Sequence, residues 1–165
     1  MEMALGIIGL IICVSFTKIG SDRFYVAQVA LLVYVLNVVV SLTWVGNAFE
    51  LANFFAFQSL FNLLVIVCLS FVMSAYIGFS KVAILVMILN IFAISLNAMG
   101  YWLDINGYSQ NLHYYLTIAL YLLEVLILLS KRLTDGIYGS LSKLAVFCRA
   151  TGIIDTYCIK NGQRK

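Results

Sequence analysis

The residues best equipped for chemistry lie in the last apolar run of the chain. Glu124 is the one carboxylate inside a full-length apolar stretch. His113, the single histidine, falls with Thr117 and Tyr121 on the same helical stripe as Glu124, at about 100° per residue. A carboxylate in a hydrocarbon layer is costly, and such residues mark ion or proton pathways or are paired by a neighbour. One reading is a relay of protons or cations from His113 to Glu124. The simpler reading places Glu124, about two turns before Lys131, near the membrane interface, paired with the basic end or bonded by Asn90 or Asn97. On that reading His113, beside Tyr114 and Tyr115, is an interfacial residue that opens its span.

Uncharged polar residues form a second set. Asn90 and Asn97 lie about two turns apart, on an arc that also holds Ala83 and Tyr101. Tyr34, Asn37, Ser41 and Trp44 cluster on one side of another run, and Gln28 lies near its other end. Gln58 and Asn62 occupy the start of a third, which continues with Ser70, Ser74 and Gly78 at four-residue steps. An amide turned to lipid leaves donors and acceptors unpaired, so these arcs must face protein. The small-residue ladder lets two helix backbones approach closely. Asn37, Asn62, Asn90, Asn97 and Glu124 are therefore the candidates for intramembrane contacts, and Ser70, Ser74 and Gly78 for helix packing.

Enzymatic chemistry finds little support. The chain has no HExxH, no paired CxxC, no P-loop and no GxSxG. Cys13, Cys68, Cys148 and Cys158 are scattered and read as small apolar residues, with neither a disulfide framework nor a zinc site. No catalytic set, metal or cofactor is expected. There is no proline. The spans are expected to run unbroken, which counts against a carrier built on interrupted helices.

The elements that position these residues follow from composition. Of 165 residues, 64% are apolar and 10% charged, where a soluble domain carries about 25% charged residues. Such a chain needs the bilayer as solvent, and there the backbone must form helices or a closed barrel. The apolar runs are continuous rather than alternating, which excludes a barrel. Leu51 to Leu103 holds one formal charge, Lys81, and reads as a hairpin turning at Gly78 to Lys81. The spacing predicts full spans over Phe24–Thr43, Phe57–Phe79, Val82–Gly100 and Leu112–Ser130, each long enough to cross about 30 Å of hydrocarbon. Ala4–Phe16 is apolar all round and short. It lacks a positive start and a small-x-small cleavage site, so a removable signal peptide is not expected. The expected fold is an all-α membrane protein. It is a polytopic bundle of four full-length transmembrane helices plus a short N-terminal hydrophobic helix, over residues 1–130. Residues 131–165 form a basic tail.

Lysine and arginine set the orientation. Lys18, Arg23, Lys81, Lys131 and Arg132 fall on one side if each span crosses once, whereas the loops at 45–55 and 101–111 hold neither residue type. The expectation is a bacterial inner membrane with a cytoplasmic C-terminus. In the tail, Ile137, Leu141, Leu144 and Cys148 share one helical face, with Lys143 and Arg149 off it. An amphipathic helix on an anionic leaflet fits this pattern; a frayed basic anchor is the alternative. The basic residues are too dispersed for nucleic-acid binding. The partners expected are the bilayer and another membrane protein or a second copy.

Two function classes follow. The first is a small non-enzymatic membrane protein that acts through helix and loop contacts with a partner, as immunity, superinfection-exclusion or assembly factors do. The second is a pore or small-solute or ion transporter, holin-like proteins included, with a polar path through the bundle.

Overall fold

The computed structural model describes the backbone of residues 2–44, 51–109 and 111–150, and the side chains of 7–41, 54–109 and 111–146. The Trp44 ring, the loop around Glu50, the Cys148 and Arg149 side chains and the tail beyond 150 lie outside these residues. The described chain is an all-α bundle: α1 (Glu2–Phe16), α2 (Asp22–Trp44), α3 (Leu51–Val72, then a π-helical turn Met73–Ile77), α4 (Lys81–Ile105), α5 (Asn111–Leu129) and α6 (Lys131–Ala150). Asp22–Ser41, Phe54–Ile77, Lys81–Ile105 and Asn111–Leu129 are each long and apolar enough to cross a membrane. The protein is a multi-pass integral membrane protein.

Local chemistry explains the breaks between helices. Gly20 takes φ +82, and Ser21 then caps α2, its Oγ accepting from the Phe24 backbone N–H at 3.3 Å. Gly78 takes φ +62, a left-handed backbone that glycine alone adopts cheaply. Ser80 follows as the cap of α4, accepting from the Ala83 N–H at 3.4 Å. Ser130 caps α6 through the Leu133 N–H at 3.2 Å.

Two expectations change. The second full span is not unbroken, because it widens into a π turn over Met73–Ile77 before Gly78. The expected loop from Tyr101 begins as helix: nothing in Tyr101–Ile105 stops α4, and the chain turns only at Asn106 and Gly107, where φ is +70. Ser70, Ser74 and Gly78, the small-residue ladder, are all exposed among the described residues. α3 buries instead the stripe Phe61, Val65 and Leu69. Those larger side chains remove more apolar surface in the bundle core, and the Ser70 hydroxyl donates to its own helix at Ile66 O, 2.8 Å.

α3 and α4 form a tight hairpin, and α1 packs on α2 and α5. Cys13 is fully buried, and a Cβ at Gly9 would stand 3.2 Å from Val125 Cγ2. α1 thus packs on the bundle through the face of Leu10 and Cys13, while Ile8, Ile11, Ile12 and Phe16 on its other side are exposed. Leu32, Leu60, Phe71, Ile91, Phe92, Leu122 and Leu126 point outward, as expected where the surrounding solvent is lipid.

The five positive residues predicted to share one side do gather at one end. Arg23 Nη1 donates to the carbonyls of Ile127 and Leu128, both at 2.9 Å, and Nη2 donates to Thr134 Oγ1 at 2.8 Å. Lys18, Arg23 and Lys131 line one groove. Lys81 pairs with Asp135 at 3.2 Å and lies 5.6 Å from the centre of the Tyr138 ring. The first half of α6 is therefore fastened to the bundle, with Leu133, Ile137 and Tyr138 against the core. Its second half presents Leu141, Leu144 and Val146 outward.

Candidate functional site: a polar cavity inside the bundle

α2, α3, α4 and α5 each turn a polar stripe inward, and the stripes meet in two adjoining cavities. The larger, about 260 Å³, lies towards the end of the bundle away from the lysines and arginines. Asn37, Gln58, Asn62, Asn97, His113, Thr117 and the rings of Tyr34, Tyr114 and Tyr121 contribute to its wall. The smaller, about 40 Å³, is lined by Asn90 and Glu124 with Leu10, Val65 and Val125. Tyr34, Asn37, Asn62 and Tyr121 line both. The Tyr34 and Tyr121 rings meet edge to face at 5.6 Å where the cavities adjoin. A water needs about 10–15 Å³ of free space, so both cavities are large enough to be wet.

Asn37 is held by a reciprocal amide pair. Its Nδ2 donates to Gln58 Oε1 at 2.8 Å, Gln58 Nε2 donates back to Asn37 Oδ1 at 3.3 Å, and Ser41 Oγ donates to the same oxygen at 3.2 Å. This pair ties α2 to α3. Asn90 Nδ2 donates within its own helix to Val86 O at 2.9 Å. Neither Asn90 nor Asn97 donates to Glu124, and no ion pair involves Glu124 among the described residues. The basic end does not supply one, because the Arg23 guanidinium is spent on α5 carbonyls and Thr134.

Two buried polar atoms at the larger cavity lack any partner among the described residues: Asn97 Nδ2 and His113 Nε2. Asn97 is only 6% exposed. Leaving such a group unsatisfied costs about 1–3 kcal/mol, so each calls for a water or ligand. The His113 ring is wedged between Phe55, edge to face at 5.1 Å, and Gly100, where an added Cβ would stand 2.8 Å from His113 Cδ2. His113 is thus part of the cavity wall rather than a free interfacial ring.

Below Glu124 the path is shut. Cys13, Val26, Leu69, Val86, Ile127 and Leu128, drawn from all five bundle helices, are buried to 1% exposure or less. The Arg23–Thr134 cap closes the bundle beneath them.

The candidate residues fall inside the bundle. Asn37, Asn90 and Asn97 are buried within this chain, and Asn62 and Glu124 line its internal cavities. Gln58, Tyr34 and Gly100 belong to the site and were not candidates. For Gln58 the signal was present, one turn before Asn62 on the same helix; Gly100 carried none. Among the described residues no group of acidic, histidine or cysteine side chains could hold a metal ion. No protein-family model matches the chain, and neither the curated proteins nor the solved structures contain a match.

Proposed function

We propose that the protein is a non-enzymatic membrane protein that admits a small polar or cationic solute into the bundle, in the manner of a small transporter or gated pore. The observation that carries this reading is the convergence of polar stripes on two adjoining cavities with Glu124 on the wall of the inner one. Asn97 and His113 supply unsatisfied groups at the wider end, and Glu124 supplies the charge that would favour a cation or a proton. The apolar belt below makes the resting state a half-channel, so passage requires the helix ends around Arg23 to move. In a bacterial cytoplasmic membrane, the lysine and arginine asymmetry would set this closed end inside.

The test is ion flux in proteoliposomes with the full chain. Wild-type protein is expected to conduct or exchange protons or monovalent cations. Glu124→Gln should reduce that flux by about tenfold or more, since a charge worth several kcal/mol in a low-dielectric site is removed. A wild-type protein with no flux under either membrane polarity would sink the reading.

A second reading, contact with a partner membrane protein of the immunity, exclusion or assembly type, is favoured by one observation. The Ser70, Ser74 and Gly78 face is exposed among the described residues, and a Cβ at Gly78 would meet nothing within 4 Å there. Crosslinking from cysteines placed at Ser70 and Ser74 in native membranes would capture such a partner or a second copy.

A further inference from the structure

At the basic end, α1, α2 and the α5–α6 junction enclose a groove of about 690 Å³. Its polar wall is Thr17, Lys18, Ser21, Arg23 and Lys131, and its apolar wall is Ile12, Phe16, Leu128 and Leu129. No acidic residue lines it; Asp22 stands next in sequence to two of the lining residues but is not among them, and Asp135 is engaged by Lys81. We propose that this groove binds the headgroup of an anionic phospholipid, with an acyl chain lying along Ile12 and Phe16.

Charge and shape both point to that occupant. Lys18 and Lys131 are exposed and their ammonium groups bond no other described residue, so they are free for a phosphate. Ser21 Oγ accepts from Phe24 N, which leaves its own proton to donate. Arg23 directs one edge of its guanidinium to α5 and Thr134 and still borders the groove. The neighbouring apolar side chains are unusually bare, Phe16 at 80% and Ile19 at 81% exposure. A soluble phosphate would use the cations and leave these rings and branches in water. A phospholipid satisfies both, because its phosphate sits at the depth where a transmembrane helix ends and its chains begin just beneath. Basic pockets between transmembrane helices are known headgroup sites.

The experiment is native mass spectrometry of the full-length protein released from detergent, with phosphatidylglycerol and phosphatidylcholine in competition. Wild-type protein is expected to retain phosphatidylglycerol at least about fivefold better than phosphatidylcholine, the effect of roughly one lysine near a headgroup. Equal retention would overturn the proposal without any variant. The Lys18→Gln, Lys131→Gln double variant should lose the preference, by about fivefold for each lysine. Lys143→Gln, on the outer half of α6, should keep it. A loss in Lys143→Gln as large as in the double variant would mean diffuse attraction and no site. Inorganic phosphate at millimolar concentration should leave the adduct in place; displacement would assign the groove to free phosphate and overturn the lipid.

Discussion

Arg23 and Thr134 close the bundle together. The guanidinium donates to the Thr134 hydroxyl oxygen at 2.8 Å and to the Ile127 and Leu128 carbonyls. Thr134 Oγ1 in turn lies 3.0 Å from Ile127 O and 2.9 Å from Ser130 O. The last carbonyls of a helix have no intrahelical partner and carry the negative end of its dipole. A residue at the start of α2 therefore caps α5 and fastens α6 in one contact.

Arg23→Ala should destabilise the protein by about 1.5–3 kcal/mol, the range for hydrogen bonds to a charged donor. Arg23→Lys should recover only part of this, because an ammonium cannot reproduce the planar fork. Thermal unfolding in detergent measures the loss, and faster hydrogen exchange in the first turn of α6 locates it. Asp135→Asn is the contrast. Its pair with Lys81 is about half exposed on both sides, so the cost should stay below about 1 kcal/mol and shrink with salt.

Asn37→Leu should cost more than the double change with Gln58→Leu. The single substitution leaves the Gln58 amide without its partner inside the bundle, whereas the double one replaces both by apolar groups. The coupling should be about 0.6–1.7 kcal/mol, the range for hydrogen bonds between membrane helices. A double-mutant cycle measures it, and additive effects would show that the pair is not coupled.

Gly100→Ala puts a Cβ 2.7 Å from Phe55 Cε1 and 2.8 Å from His113 Cδ2. Overpacking of this kind costs about 1–3 kcal/mol. Combining it with His113→Ala should restore part of the loss, since the smaller side chain makes room. Unfolding of the three variants in one detergent checks the order. A Gly100→Ala protein as stable as wild type would show that α3 and α4 separate freely there.

Cysteines introduced at Ser109 and at Ser140, in a background without native cysteines, should label from opposite faces of the membrane. Both positions are exposed, one between α4 and α5 and the other on α6. Impermeant maleimide on intact and permeabilised cells distinguishes the sides. Labelling of both from one side would require that α5 does not cross.

What the sequence determined by itself was the solvent, the helical class, the number of long spans and the gathering of Lys18, Arg23, Lys81, Lys131 and Arg132 at one end. Those properties are sums along the chain: hydropathy over about twenty residues sets a span, and strict alternation of crossings sets which charges share a side. The arcs through Asn90 and Asn97 and through Asn37 and Ser41 could also be read, because a polar stripe in an apolar helix marks a face. Which face meets which was decided only in the tertiary structure. Gln58 pairs with Asn37 across α2 and α3, Arg23 reaches the end of α5, and the small-residue ladder of α3 is turned outward because Phe61, Val65 and Leu69 take the core. The rotation of each helix about its axis is fixed by close packing against all its neighbours at once. That is why Glu124, one carboxylate with several conceivable partners in the sequence, is found on the wall of a cavity shared by residues of other helices rather than beside a cation.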